Sequence, residues 1–246
     1  MKIIISPAKK MNIDDDNFEY RDMPVFLDKA EELKNYIKSL SYEDCKAMWK
    51  CNDKIARLNY ERFQNMDLNE RLTPAIFSYE GLQYQYMGVK VLDRDSLEYL
   101  QEHLRILSGF YGILRPFDGV VPYRLEMKAK LIDHENKNLY DYWADEIANQ
   151  LFSEDDLIIN LASVEYSKCI DTYNNRDKVV TCMFGEIIDY RVIEKGTLVK
   201  MARGQMVKYL AENNVTDLEG LKKFDSLGYR YQEDMSDDDI YVFVKE

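Results

Sequence analysis

The residues best suited to chemistry in this 246-residue chain are cations that sit beside glycines and hydroxyls. Gly109 and Gly112 bracket Phe110-Tyr111, and Arg115 follows three residues later. A glycine-bracketed turn can leave backbone N–H groups free, and an adjacent guanidinium adds charge, so the trio suits a phosphate. The stretch Leu107–Met127 holds three of the chain's ten glycines and two of its five prolines, together with Arg115 and Arg124. That concentration marks it as a shaped segment rather than ordinary surface. "ISPAKK" (5–10) puts Ser6 and Lys9 after an apolar run, and "INLASVEYSK" (159–168) repeats the arrangement with Asn160, Ser163 and Glu165. "KMARGQM" (200–206) adds Lys200 and Arg203 beside Gly204. One at a time, these read as capped turns, with Ser163 an N-cap and Gly204 a turn residue. Together, hydroxyls, an amide and cations at the ends of several elements predict an anionic ligand at a sheet edge. Glu126 and Glu165 are the carboxylates beside these cations. They can serve as general acid or base on a held substrate, or simply pair with their neighbours.

Other chemistries find less support. There is no Walker loop and no GxGxxG, so a standard nucleotide cradle is not predicted. Two histidines and four scattered cysteines without a CxxC pair predict no metal, no cofactor and reduced thiols, none of them a catalytic redox centre. No apolar run is long enough to cross a membrane, and the three isoleucines of "MKIIIS" are too few for a signal-peptide core. The expectation is a cytoplasmic protein with no membrane partner.

The formal charge of −12 argues against a generic nucleic-acid binder. Its distribution is uneven. Residues 1–13 carry Lys2, Lys9 and Lys10 and no acid. Residues 103–130 hold five cations, among them Arg105, Arg115 and Arg124, against Asp118 and Glu126. Residues 195–211 hold Lys195, Lys200, Arg203 and Lys208 and no acid. Brought together, these segments would give an acidic protein one cationic cleft. The acidic runs at 14–16, 154–156 and 233–239 read as solvated turns.

The elements that must position these groups follow from periodicity. "KIIIS" and "DLIINLAS" (156–163) read as strands buried on both faces. Helical spacing runs through 25–40, a helix capped by Ser41 follows, and another covers 53–64. "TPAIFSYEGLQYQYM" reads as a strand and a loop. Leu97, Leu100, Leu104 and Leu107 predict a helix over 93–107 with Gly109 ending it in the left-handed conformation. Further helices are predicted over 139–152 and from Arg203 to 214. Strands over 179–200 turn near Lys195-Gly196, and a final strand closes the chain. No linker or repeat divides the sequence. The prediction is one compact α/β domain over 1–246, α+β in mixture, with a mixed sheet flanked by helices and a helix-hairpin-helix-like element at Gly109–Gly112.

"ISPAK", "LSGFYGILRPFDGVVPYRLEM", "YDYW", "INLASVEY" and "KMARG", in that order, resemble the signatures of the YaaA family of peroxide stress proteins. The resemblance runs from the first strand to "LGYRY" and the last strand. It implies a cytoplasmic protein with an unusual α/β fold that limits oxidative damage. It also implies double-stranded DNA binding through a helix-hairpin-helix-like element, here Gly109 to Gly112 with Arg115, and a positively charged cleft. On that reading Lys9, Arg115, Arg124, Lys200 and Arg203 hold phosphates without reading bases. The alternative is an enzyme acting on a nucleotide or other anionic small molecule, with Arg124 and Lys200 holding it and Glu126 or Glu165 as acid or base. An iron-handling role finds no His/carboxylate spacing to support it.

Overall fold

The computed structural model describes residues 1–14, 17–173 and 178–245. Its first half contains β1 (Lys2–Ile5), β2 (Lys10–Met11), α1 (Leu27–Ser39), α2 (Tyr42–Trp49), α3 (Asp53–Gln64), β3 (Thr73–Pro74), α4 (Ala75–Ser78), β4 (Tyr79–Glu80), α5 (Leu82–Met87), α6 (Arg94–His103), β5 (Leu104–Ser108), β6 (Gly112–Leu114) and β7 (Gly119–Val120). The second half contains α7 (Leu139–Trp143), α8 (Glu146–Phe152), β8 (Leu157–Leu161), α9 (Val164–Asp171), β9 (Lys178–Ile188), β10 (Arg191–Ile193), α10 (Gly196–Glu212), α11 (Leu218–Lys222), β11 (Asp225–Ser226), β12 (Tyr229–Tyr231) and β13 (Ile240–Lys245).

The result is a mixed α/β domain. Its main sheet has, among the described residues, nine strands in the order β11-β12-β13-β9-β8-β1-β5-β6, with β10 paired to β9 outside that path. The five central strands, β13, β9, β8, β1 and β5, run parallel, while β6, β10, β11 and β12 add antiparallel edges. Ile3, Ile4 and Ile5 of β1 are all fully buried, so both faces of the centre are covered. The parallel register sets Ile5 opposite both Ile106 and Leu161. Ser6, Gly109 and Ser163 therefore emerge at the same, carboxyl edge of the sheet.

Several expectations change. The helix predicted over 93–107 stops at His103, and 104–108 is a buried strand. Gly109–Tyr111 is thus the turn of a β-hairpin between β5 and β6, with Ser108 opposite Gly112. There is no helix-hairpin-helix here. The helix over 139–152 is two helices, broken where Ala144 takes φ 43°. The hairpin over 179–200 turns at Asp189-Tyr190, and α10 already begins at Gly196. Gly204 lies inside α10, not in a turn: a Cβ there would collide with the Gln83 carbonyl, because α5 crosses α10 at this point. The acidic run at 154–156 is structural in part. Glu154 accepts from Arg105 Nε at 2.7 Å, and Asp155 pairs with the amino group of Met1. In the run at 14–16, Asp14 faces Lys90 at 3.3 Å, and Asp15 and Asp16 lie outside the described residues. The run at 233–239 does form an exposed turn, in which Asp237 accepts from the N–H groups of Asp239 and Ile240.

Candidate functional site

At the carboxyl edge the ends of β1 and β8 are tied by hydroxyls. Ser6 Oγ accepts the Ser163 N–H at 2.9 Å and donates to Ser163 Oγ at 3.1 Å. Ser163 holds the N-cap position of α9, but its side chain caps nothing and turns to Ser6 instead. Tyr84 on α5 donates to the Ser6 carbonyl at 3.1 Å. Asn160, buried, bridges strands: its amide donates to Thr181 Oγ1 at 3.1 Å and accepts the Ala162 N–H at 2.9 Å.

Beside this bridge the segment after β7 runs back under the β1 exit loop. Lys9 Nζ lies 3.1 Å from Glu126 Oε1, and Arg124 donates to the same oxygen at 2.8 Å. Glu126 and Arg124 are largely buried, whereas the Lys9 side chain is 64% exposed. Arg124 Nε is buried and has no hydrogen-bond partner. Lys9, Arg124, Glu126 and Tyr166 line one crevice. Lys9 and Glu126 also line an adjoining cavity of about 210 Å³ with Trp49, Lys50 and Lys128. Lys50 closes α2 with φ 46°, a left-handed conformation costly for a side-chain-bearing residue. Lys128 in turn faces Glu165 at 3.3 Å. Four cations (Lys9, Lys50, Arg124, Lys128) thus surround two carboxylates, an excess of positive charge in a chain whose net charge is −12.

The remaining candidates lie elsewhere. Arg115 follows β6, whose Leu114 pairs with Ile106, so it sits toward the amino edge of the sheet. There it contacts Asp22 and Asp118, each at 3.3 Å, beside a cavity of about 330 Å³ shared with Arg105 and Glu154. The hairpin N–H groups of Phe110 and Tyr111 are buried and donate to Ser108 Oγ, so they do not face solvent. Gly109 is required by crowding: a Cβ would lie 2.5 Å from the Leu125 carbonyl. Gly112 has φ +73° and packs against Phe26 and Trp143. Lys200 is exposed on α10. Arg203, also on α10, is half-buried with Nε unpartnered, its charge felt by Glu194 and Cys182 rather than by Lys9 or Arg124.

Comparison with known proteins places this arrangement in a family. The family profile described as peroxide stress protein YaaA matches residues 1–235. The chain belongs to the YaaA family. A UPF0246 protein of Desulfitobacterium hafniense is 56% identical over 246 residues, covering 100% of this chain and 98% of that protein. UPF0246 proteins of Agathobacter rectalis and Lactiplantibacillus plantarum are 52% and 46% identical, each aligned over 99% or more of both chains. The family's name attaches it to peroxide stress.

In this YaaA-family chain burial bears on all four thiols, fully at Cys45, Cys169 and Cys182 and partly at Cys51. Burial pushes Cys45 up to about 11 and Cys169 and Cys182 up to about 12, and it raises Cys51 as well. The thiolate that would attack an oxidant is therefore disfavoured at each. Among the described residues no helix is long and apolar enough to cross a membrane. A further cavity, of about 750 Å³, is lined by Asp14, Ile76, Phe77, Tyr79, Glu80, Tyr84 and Lys90 among others. Its acids already have partners, Asp14 with Lys90 and Glu80 with Lys10, and it holds none of the residues named from the sequence. Sequence reasoning missed Lys50, Trp49, Tyr84 and Lys128 at the carboxyl edge. Only Lys128 carried a local signal, two residues after Glu126; the others arrive from helices that tertiary packing brings in.

Proposed function

We propose that this YaaA-family protein binds a small phosphate-bearing or other anionic molecule in the carboxyl-edge pocket, with Glu126 poised as general acid or base. Lys9 and Arg124 converge on Glu126 across 115 residues of sequence, and Arg124 Nε is left with an unfilled donor. That convergence carries the reading. A buried guanidinium N–H without a partner is costly, and an oxyanion is the group that would satisfy it. Lys50 and Lys128 would add charge at the mouth, and Glu126 would sit against the bound group, where proton transfer takes place. The location outside the carboxyl ends of parallel strands supports a ligand as well.

The second reading is DNA binding through a basic cleft. It is favoured by the exposure of Lys9, Lys50 and Lys128 around one mouth, where they could meet successive backbone phosphates. One pair of titrations separates the two. ATP and inorganic phosphate are titrated by calorimetry into the wild type and Arg124→Ala. Duplex, junction and single-stranded DNA are titrated at several salt concentrations. Saturable phosphate or ATP binding that is weakened at least tenfold by Arg124→Ala supports the pocket. DNA binding with a steep salt slope that flattens on replacing Lys9, Lys50 and Lys128, without ATP or phosphate binding, supports the cleft.

A further inference from the structure

The connection between α2 and α3 turns on a residue in a costly conformation. α2 ends at Trp49 and α3 starts at Asp53, so Lys50, Cys51 and Asn52 make the whole turn. Asn52 caps α3, its side chain accepting the Ile55 N–H at 3.0 Å. Lys50 reverses the chain with φ 46° and ψ 50°, and its N–H returns to the Lys46 carbonyl at 3.0 Å. Glycine makes this turn without a Cβ penalty. A lysine here gives up some fold stability to keep a side chain, and strain of that kind collects at binding sites. Of the non-glycine residues with positive φ, Lys50 is the one that lines the cationic cavity.

Three of the four cations there are committed: Lys9 and Arg124 to Glu126, and Lys128 to Glu165. Lys50 is exposed and, among the described residues, has no carboxylate partner. Its neighbour Lys46, by contrast, pairs with Asp53 at 3.1 Å. Met48, Trp49 and Ala129 give the cavity a buried apolar wall. Phe63 of α3 holds Trp49, with ring centroids 5.8 Å apart. The thiol of Cys51 feels the charges of Arg124 and Glu126, so the connection lies against that pair. An apolar wall lowers the local dielectric and strengthens the pull of the cations around it.

We propose, resting on the anion-binding function above, that the pocket holds a diphosphate: one phosphoryl group at Lys9 and Arg124, the next at Lys50 and Lys128. Charge and size set this class. Lys9 and Arg124 meet on Glu126, while Lys50 and Lys128 are exposed at the mouth. A single phosphoryl group on the first pair leaves Lys50 unmet, and a second group one bridging oxygen away reaches it. The cavity, about 210 Å³, is smaller than the roughly 300–1,000 Å³ that encloses a drug-sized ligand. The diphosphate fits inside, and a nucleoside attached to it would lie in solvent. Free pyrophosphate and the phosphate end of ADP or ATP thus present the same group to Lys50.

Calorimetry with phosphate, pyrophosphate, AMP, ADP and ATP tests this on the wild type, Lys50→Gly and Lys50→Arg. Pyrophosphate, ADP and ATP should bind the wild type about tenfold more tightly than phosphate and AMP, through the added charge-assisted contacts. Lys50→Gly should bring pyrophosphate down to the level of phosphate and leave phosphate itself unchanged. Its melting temperature should hold or rise, because glycine relieves the turn. Lys50→Arg should keep the preference. Pyrophosphate binding with rejection of ADP and ATP keeps the assignment and makes the free ion the source. A wild type that binds phosphate as tightly as pyrophosphate overturns the diphosphate and leaves the anion pocket standing. So does a preference that survives Lys50→Gly. If none of the five ligands binds the wild type, the anion pocket itself falls, and the diphosphate with it.

Discussion

Lys9 Nζ and the Arg124 guanidinium meet on a single atom, Glu126 Oε1, at 3.1 and 2.8 Å. Glu126 thus occupies the cations that an anionic ligand would use. Glu126→Gln removes the competing charge but keeps the shape, so ATP or phosphate should bind about fivefold more tightly in this half-screened setting. Arg124→Ala should do the reverse. Calorimetry on both variants decides the point: if Glu126→Gln weakens binding as much as Arg124→Ala, the carboxylate is a ligand-holding group and not a competitor.

Arg115 should prove structural. Its side chain and N–H both serve Asp118, which is almost wholly buried. Arg115→Ala is expected to destabilise the fold by about 1–3 kcal/mol, since it strips a buried carboxylate of a charged partner. Affinity for ATP or DNA, and the slope of log affinity against log salt, should stay within error of the wild type. A slope shallower by about one unit in a folded variant would return Arg115 to the binding surface.

Burial raises Asp118 to about 6. The ordinary value, about 3.9, applies to the unfolded chain. A carboxyl with a raised folded-state value contributes stability that is fully present below about pH 4 and is lost as pH rises through about 6. The window is worth up to about 2–3 kcal/mol. Denaturation from pH 4 to 7 should show this component in the wild type and lack it in Asp118→Asn. Identical pH slopes in the two proteins would mean that Asp118 titrates normally.

Gly109 and Gly204 should be intolerant of even one methyl group. At Gly109 the added Cβ meets the backbone of Leu125–Met127, and at Gly204 it meets the backbone of α5. Neither obstacle is a flexible side chain that could move aside. Each alanine variant is expected to lose about 3 kcal/mol, read as a lower melting temperature. An alanine variant as stable as the wild type would show that these segments can separate at little cost.

Much of this was legible where one element carries its own pattern. The isoleucines of β1, the Ser41 cap of α2 and the boundaries of α3 all appear as the periodicity predicts. β5 was hidden because Leu97, Leu100, Leu104 and Leu107 keep helical spacing across a junction, and a strand buried on both faces has no alternation to betray it. That misreading turned a β-hairpin into a helix end and gave Gly109 and Arg115 the wrong surroundings. The sequence reading puts Lys9 and Arg124 in one cleft with Arg115, Lys200 and Arg203 and sets Glu126 beside cations, but it does not foresee Lys9 and Arg124 meeting on Glu126. Their meeting depends on the parallel register of β1 and on the path after β7, neither of which any local window contains. Arg203 and Gly204 were placed at an element end when they lie mid-helix, because a glycine that permits helix crossing looks the same in sequence as a glycine that permits a turn.

The central position of β1 also fixes the order in which the molecule can be completed. Its four residues leave the ribosome well before their partners, Leu104–Ile106 and Ile158–Leu161. At roughly 5–20 residues per second, the first partner strand follows about 5–20 seconds later and the second about 8–30 seconds later. Throughout that interval three consecutive isoleucines have no sheet to enter. Pairing of β1 therefore waits on long-range closures, and refolding from denaturant should be slow in consequence.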